Sequence, residues 1–208
     1  MPNMTERVCI LDYGSGNVQS VRNIFAALSP GTIVSNREAD IRDATHLVLP
    51  GVGAFGAAME RIRERIPLEI ITQEVLEAGK PFLGICVGMQ VLADTGYEFG
   101  EHAGLGWVHG RVSRLGAVDL PLPHVGWNDV TPRANSRLHA QMPPGMDFYF
   151  VHSYALEPDR PEVTSATATY GTRFCASVEQ DNIFGVQFHP EKSSKAGTEL
   201  LKNFLRTS

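Results

Sequence analysis

The sequence lacks an apolar run long enough to span a membrane, and it carries no excess of basic residues. Its 208 residues are 43% hydrophobic and 20% charged, with a net charge of −5. The absence of a basic stripe argues against nucleic-acid binding, and no transmembrane helix is predicted. The first residues, Met1 to Arg7, contain no apolar signal region, so we expect the chain to stay in the cytosol.

Cysteine is scarce, with only three residues, Cys9, Cys86 and Cys175, spread along the chain. An odd number at such distances does not predict a disulfide framework, and no CxxC pair indicates a metal site. We therefore expect no metal and at least one free thiol. The seven histidines do not cluster at metal spacing. Four of them are expected to be solvated, namely His46, His102, His109 and His139. His124 and His152 are expected to be structural.

The first half of the chain alternates strand-like and helix-like segments. Val8 to Tyr13 predicts a strand, and the apolar residues of 18–28 recur at helical spacing, with Asn17 as the expected N-cap. The remaining predictions are strands at 32–35, 46–49 and 82–86, and helical patterning after 56 that is interrupted at Pro67 and continues to about Ala78. This order predicts a parallel, doubly wound sheet.

The second half reads as successive short strands between about Leu105 and Gln187, followed by an amphipathic helix over 195–205. These runs predict an antiparallel extension of the sheet. The fold class is therefore α/β, a flavodoxin-like open mixed sheet with helices on both faces of its parallel half. We found no repeats or linker, so residues 1–208 are predicted to form a single domain.

Cys86 lies in the motif Gly84-Ile-Cys-Val-Gly88, between a strand-like segment and a helix-like stretch over 89–94. The spacing is that of a nucleophile elbow with Cys in place of Ser. A helix N-terminus beside the sulfur favours the thiolate, and the N–H of Val87 is directed at an oxyanion. Taken alone, the motif fits equally well with a small buried residue at a strand end. Cys9 and Cys175 lie inside strand-like runs and are expected to be structural.

His189 follows another apolar strand, in the segment Phe-His189-Pro-Glu191. Residues i and i+2 of an extended segment face the same way, so the Glu191 carboxylate is expected to reach the imidazole ring. A carboxylate on one ring nitrogen leaves the other to serve a thiol. The segment alone is also consistent with a surface turn. Because the carboxyl ends of parallel strands share one edge of a sheet, the two motifs together predict a Cys-His-Glu triad.

The glycines at 51, 53 and 56 match GxGxxG between a strand and a helix, so a dinucleotide site is an alternative. That fingerprint opens the first βαβ unit and is followed by an acidic residue at the end of the next strand. Here the glycines follow the third predicted strand and the next one ends in Cys86, so we expect no cofactor.

The segments GICVGMQ and FHPE resemble the class I glutamine amidotransferases. With DYGSGNVQSV, LPGVGAF, PHVGWN, YFVHSY and GVQFHPEKSS, the resemblance covers essentially the whole chain and is most similar to the family of glutaminase subunits of imidazole glycerol phosphate synthase. The segment ADTGYEFGEHAG departs from the family's commoner acidic and Ser-rich version. Ser153 occupies a position that can also be Thr.

The resemblance implies a role for each matched position. Cys86 is the nucleophile, His189 the base and acid, and Glu191 its orienting carboxylate. The oxyanion positions are Val52, Gly53 and Val87. The glutamine-binding positions are Gly51, Gln90, Glu98, Ser153 and Tyr154, with His152 beside the last two. The positions implied at a partner interface are Asp12, Asn17, Trp127, Tyr149 and Lys192.

The same resemblance implies that glutamine is hydrolysed through a Cys thioester. Ammonia then passes to a separate cyclase subunit, expected to be a (β/α)8 barrel, which makes imidazole glycerol phosphate and an aminoimidazole carboxamide ribotide in histidine biosynthesis. The alternatives are an amidotransferase of another synthase, a non-catalytic regulatory module and a cysteine hydrolase such as a γ-glutamyl peptidase. The DYGSGN and YFVHSY segments argue against the first, and the intact triad argues against the second.

Overall fold

The computed structural model describes residues 6–117, 119–143 and 145–207. The helices are α1 Val18–Leu28, α2 Glu38–Asp43, α3 Phe55–Arg65, α4 Leu68–Thr72, α5 Val87–Gln90 and α6 Ser194–Leu205. A π-helical segment, Gln73–Glu77, continues α4. None of the helices in these ranges is long and apolar enough to cross a membrane.

Fourteen strands are assigned in the described residues, in three sheets. The strands are β1 Val8–Ile10, β2 Ile33–Val34, β3 His46–Gly51, β4 Phe82–Cys86, β5 Thr95–Gly96, β6 His102–Ala103, β7 Gly110–Arg114, β8 His124–Asp129, β9 Thr131–Pro132, β10 Asp147–His152, β11 Tyr154–Pro158, β12 Thr164–Tyr170, β13 Thr172–Gln180 and β14 Ile183–Val186.

The main sheet has eight strands in the order β2-β1-β3-β4-β14-β13-β12-β9. The first five strands are parallel to one another, and every pairing from β14 onward is antiparallel. This is the flavodoxin-like order, with β14 as the fifth parallel strand. The predicted open mixed sheet with an antiparallel extension is confirmed.

Helices cover the sheet from both sides. The order β2-β1-β3-β4 reverses direction at β1, and right-handed crossovers therefore place α1 on one face and α2 and α3 on the other. The packing agrees, because α1 contacts α6 whereas α2 contacts α4. Covered on both faces, β1, β3 and β4 are buried along their whole length, as expected of central parallel strands.

Two smaller sheets stand beside the main one. Strands β8 and β10 form an antiparallel ribbon, and β11, β7, β5 and β6 form a mixed sheet. In β10 the side chains of Phe148, Phe150 and His152 are buried, whereas Tyr149 is half-buried and Val151 is exposed. This alternation directs one face of the ribbon to the core and leaves the other accessible.

Helix α1 begins and ends where the periodicity predicts, and its N-cap residue is the predicted one. Asn17 occupies the capping position without a side-chain capping bond, because its amide is used elsewhere, as described below. Other bounds shift slightly: β2 is shorter than 32–35, β3 extends to Gly51, and α6 begins at Ser194. Helix α2 was not anticipated.

The helix predicted to continue through Leu92 to Asp94 ends at Gln90 instead. The carbonyls of Val91, Leu92 and Ala93 accept hydrogen bonds from the N–H groups of 105–108. These tertiary bonds replace the helical ones, so the chain turns away directly after the elbow.

Two histidines expected to be solvated are buried. His46 is 4% exposed and lies between the Thr45 hydroxyl and the Thr207 carbonyl. His139 is 7% exposed, and its Nδ1 lies 2.8 Å from the Ser136 hydroxyl. Ser136 itself donates to Glu179, so Nδ1 of His139 carries the proton. Its Nε2 is buried without a partner among the described residues.

His139 makes stability depend on pH. Burial lowers the pKa of His139 to about 4, against an opposing effect of Glu179. Between pH 6.5 and 4 the unfolded chain binds a proton that the native chain excludes, so the free energy of unfolding falls as the pH falls, by ~1.4 kcal/mol per unit for this group. We expect His139→Asn, which keeps a donor near Ser136, to flatten that slope in denaturant titrations. His109→Asn, at an exposed position, is the control, and an unchanged slope for His139→Asn would contradict the assignment.

Candidate active site

Cys86 ends β4 in a backbone conformation that is rare for a residue with a side chain, with φ 56° and ψ −113°. The next residue, Val87, begins α5, so the strand turns sharply into the helix. The turn packs tightly, because a Cβ on Gly88 would collide with the Leu49 carbonyl oxygen of β3. The predicted elbow is present, with the thiol 3% exposed.

The pairing of β4 with β14 brings the second motif to the same edge. Ile85 lies opposite Val186, and three residues further His189 lines the same cavity as Cys86. The His189 Nδ1 lies 2.8 Å from Oε1 of Glu191. With Nδ1 donating to the carboxylate, Nε2 is the nitrogen left for the thiol.

Charge in this group favours an ion pair. Burial alone would lower the pKa of His189, but the interactions with Cys86 and Glu191 outweigh it and raise the pKa to about 10. A protonated imidazole beside a cysteine stabilises the thiolate, which is the nucleophilic form. Burial raises the pKa of the other two thiols, that of Cys9 to about 11 and that of Cys175 to about 12.

Asn17 supports Glu191 from the first helix. Its Nδ2 lies 3.3 Å from the same Oε1 that accepts from His189. Asn17 is 6% exposed, so its side chain faces inward rather than toward a partner. Oε2 of Glu191 is buried and has no partner among the described residues.

A cavity of about 180 Å³ opens beside Cys86. It gathers most of the residues singled out in the sequence. Its lining comprises Val52, Gly53, Cys86, Val87, Gln90, Glu98, Val151, His152, Ser153, Tyr154, His189 and Lys192. Gly51 is not part of the lining; it pairs with Cys86 in the β3–β4 register, with the Tyr13 hydroxyl packed against it.

Two backbone segments at the cavity can offer N–H groups. Val87 is the first residue of α5, and its N–H therefore has no partner within the helix. Val52 is 37% exposed and precedes Gly53, which has a φ of +100°. A Cβ on Gly53 would meet no atom within 4 Å, so this strand end has room to move.

Glu98 reaches the cavity although its segment departs from the family pattern. Its Oε2 accepts a hydrogen bond of 2.9 Å from the N–H of Phe55, the first residue of α3. A carboxylate therefore occupies the helix N-terminus where a dinucleotide phosphate would bind. This contact argues against the dinucleotide alternative.

The wall formed by Ser153 and Tyr154 is held by a buried histidine pair. His152 donates from Nδ1 to the Tyr154 carbonyl at 2.9 Å, and its Nε2 lies 3.0 Å from Nδ1 of His124. Burial lowers the pKa of His152 to about 3. Both rings are therefore neutral at physiological pH and act as fixed hydrogen-bonding groups, in agreement with the structural role expected for them.

Gln187 is a buried neighbour of Cys86 that none of the sequence motifs indicated. Its Nε2 lies 3.8 Å from the Cys86 sulfur, and its Oε1 accepts from Gln90 at 3.0 Å. The available signal was its spacing, two residues before His189 on an extended segment, which predicts the same facing.

Three of the predicted interface residues adjoin one another at the cavity mouth. Trp127, on β8, is 53% exposed and packs edge-on against Tyr149, with ring centroids 6.0 Å apart. The ammonium of Lys192 lies 5.7 Å from the Tyr149 ring centroid. Asp12 lies apart from them, accepting a hydrogen bond from the N–H of Gly14.

The family model for glutamine amidotransferase class-I matches residues 9–208 of the chain. The imidazole glycerol phosphate synthase subunit HisH 2 of Nitrobacter winogradskyi is 45% identical over 207 residues, covering 96% of this chain and 98% of that protein. Subunit HisH of Moorella thermoacetica is 45% identical over 197 residues, covering 95% and 93%.

Solved structures support the fold. PurLQS of Thermotoga maritima superposes with a TM-score of 0.73 at 17% identity, covering 97% of this chain and 98% of that one. A glutamine amidotransferase from the same organism gives a TM-score of 0.69 at 13% identity, covering 98% and 99%.

The His189–Glu191 contact predicts the effect of Glu191→Gln. Because the carboxylate helps to hold the proton on the ring, its loss should move the His189 titration midpoint from about 10 toward 6.5. NMR titration of the ring measures it. Glu199→Gln, which alters an exposed carboxylate on α6, should leave the midpoint unchanged. An unshifted midpoint in Glu191→Gln would show that the carboxylate does not control His189.

Proposed function

The chain belongs to the class I glutamine amidotransferases, and within them to the family of imidazole glycerol phosphate synthase subunit HisH, and we propose that it is the glutaminase subunit of such a synthase. The observation that carries the proposal is the contact of His189 with Glu191 beside the Cys86 thiol, at the edge of one cavity. Glutamine is the substrate, and no cofactor takes part.

The reaction is an acyl transfer in two steps. The Cys86 thiolate attacks the side-chain amide carbon of glutamine, and the N–H groups of Val87 and Val52 stabilise the resulting oxyanion. Protonated His189 gives its proton to the departing nitrogen, which leaves as ammonia. His189 then takes a proton from water, whose oxygen attacks the thioester and releases glutamate and the thiolate.

The cavity holds the remainder of glutamine by charge and shape. Glu98 offers a carboxylate to the α-ammonium group, and the Ser153–Tyr154 segment receives the other end of the substrate. Gln90 lies between them and the nucleophile.

Access to the oxyanion is the step open to regulation. One oxyanion donor is worth about 3 kcal/mol of barrier, so rotation of a single peptide at Val52 changes the rate by about two orders of magnitude. The open surroundings of Gly53 allow that rotation. The free subunit is therefore nearly inactive, and its partner brings the Val52 N–H into position.

The partner is a cyclase subunit with a (β/α)8 barrel, forming a heterodimer that makes imidazole glycerol phosphate and aminoimidazole carboxamide ribotide in histidine biosynthesis. It docks on the exposed group at the cavity mouth, Trp127, Tyr149 and Lys192, which the neighbouring Val125, 57% exposed, extends. Lys192 lines the same cavity as Cys86, so ammonia leaves toward the partner. The HisH relatives, each named as a synthase subunit, support this assembly.

We also propose that residues 1–208 act as one domain in the cytoplasm. The three cysteines are free and buried, which suits a reducing compartment.

Glutaminase assays of the chain alone and with a cognate cyclase plus its ribonucleotide substrate test the proposal. We expect activity only in the complex, lost in Cys86→Ala and retained in Cys175→Ala, a matched change at a buried thiol outside the cavity. If the isolated chain is as fast as the complex, gating by the partner fails. If the cyclase does not change the glutaminase rate while Cys86→Ala still abolishes it, the glutaminase reaction is supported and the pathway assignment is wrong.

Docking at the cavity mouth is tested by Trp127→Ala. Exposed Trp residues at the centre of an interface contribute strongly to affinity, so we expect the Kd for the cyclase to rise by about tenfold or more, measured by calorimetry. Leu76→Ala, at a side chain 50% exposed on the π-helical segment, is the matched control. Equal Kd values for both variants would place the interface elsewhere.

A further inference from the structure

Gln187 is fully buried between the nucleophile and a residue of the cavity wall. It directly follows β14, and its main-chain N–H continues the sheet by donating to the Ala176 carbonyl at 2.9 Å. Its side chain is 0% exposed and does not line the cavity. It can therefore influence glutamine only through Cys86 or Gln90.

The orientation of both amide groups follows from a single backbone atom. The Tyr154 carbonyl oxygen can only accept, so the Gln90 atom that lies 2.9 Å from it must be Nε2. The second hydrogen of Nε2 is directed at Gln187, 3.0 Å away, so the Gln187 atom there must be Oε1. Nε2 of Gln187 is then the group facing the Cys86 sulfur, at 3.8 Å.

We propose that Gln187 is a positioning residue that acts on both partners of the reaction, donating from Nε2 to the Cys86 thiolate and holding Gln90 so that the Oε1 of Gln90 accepts an N–H of the substrate. The inference rests on the proposed glutaminase reaction at this site. Both Nε2 hydrogens of Gln90 are used internally, so Oε1 is the polar group that Gln90 can offer to the cavity it lines.

The donor at sulfur acts twice in the cycle. It stabilises the thiolate that attacks glutamine, and it stabilises the same thiolate as the leaving group when the thioester is hydrolysed. Without Gln187, the Gln90 amide keeps its bond to the Tyr154 carbonyl but loses the second bond of its Nε2. Its Oε1 is then held less firmly toward the substrate, and binding would weaken.

Four variants separate the two actions: Gln187→Met, Gln90→Met, the double variant, and Gln180→Met as control. Met matches Gln in length and removes its hydrogen bonds. Gln180 is a half-buried glutamine at the end of β13, whose Nε2 donates to the Trp107 carbonyl away from the cavity. His189 and Tyr13, the other titratable groups that interact with Cys86, stay unchanged in all four.

The first readout is alkylation of the isolated chain by iodoacetamide across pH 5 to 10, with the modified Cys86 peptide quantified by mass spectrometry. A hydrogen bond to a charged group changes an equilibrium constant by about 10- to 100-fold. At pH 7 we therefore expect Gln187→Met to react with iodoacetamide about tenfold more slowly than wild type. The pH at which its rate is half-maximal should be higher. Gln90→Met and Gln180→Met should react like wild type, and the double variant like Gln187→Met.

The second readout is the KM for glutamine in the assembled complex. Gln187→Met and Gln90→Met should each raise it by about tenfold, and the double variant should raise it no further, because one acts through the other. If the KM of the double variant instead equals the product of the two single effects, Gln187 does not act through Gln90. If Gln187→Met is alkylated at the wild-type rate at every pH, the proposed contact of Gln187 with the thiolate is wrong.

Thermal unfolding checks that each variant folds. If Gln187→Met does not fold, Gln187→Glu carries the test above neutral pH, since it keeps an acceptor for Gln90 and loses the amide donor. It should then slow alkylation while leaving KM within about twofold of wild type, and the opposite pattern overturns the proposal. Alkylation needs neither partner nor turnover, so the thiolate contact is tested even where the pathway assignment fails.

Discussion

Cys86 has a positive φ that a residue with a Cβ adopts only where its surroundings hold it there, at a cost of about 1–3 kcal/mol. Strand β4, held by β3 on one side and β14 on the other, fixes the chain entering the turn. Helix α5, with Gly88 against Leu49, fixes the chain leaving it. The strained turn aims the sulfur at the cavity and leaves the Val87 N–H without a partner in the helix, so one local conformation places both the proposed nucleophile and the proposed oxyanion donor.

Strand β10 joins this site to the outer face. The Tyr149 carbonyl accepts the main-chain N–H of His189 at 2.8 Å, and the Val151 carbonyl lies 4.0 Å from the Cys86 sulfur. The outward face of the ribbon formed by β10 and β8 presents the side chains of Tyr149, Val125 and Trp127. A partner docked on these residues, as proposed, would contact a strand that itself contacts Cys86 and His189.

The sequence was informative wherever one pattern determined the structure. Motif spacing and strand ends predicted that Cys86, His189 and Glu191 would meet, and the buried parallel strands followed from continuous apolar runs. Polar side chains with more than one available partner were harder to predict. Asn17 is a residue type that favours the N-cap, yet its side-chain amide contacts Glu191, which is 174 residues away in sequence.

Burial of single polar residues was the other limit. His46, His139 and Gln187 lie in segments whose periodicity is that of ordinary strands or loops, and each is buried by neighbours distant in sequence. Likewise, α5 ends early because the N–H groups of 105–108 bind the carbonyls of the three residues that follow it. Such contacts depend on how distant segments pack, and local sequence patterns do not encode them.

The position of β14 in the sheet bears on how the chain acquires activity during folding. Strands β4 and β14 are parallel neighbours, yet Gln187 follows Cys86 by 101 residues. Such a long loop closes slowly, after local helices and hairpins have formed. Until it closes, the thiol has no imidazole, no carboxylate and no amide beside it. A partly folded chain therefore cannot hydrolyse glutamine, and completion of the central sheet has to precede the proposed activation by a partner.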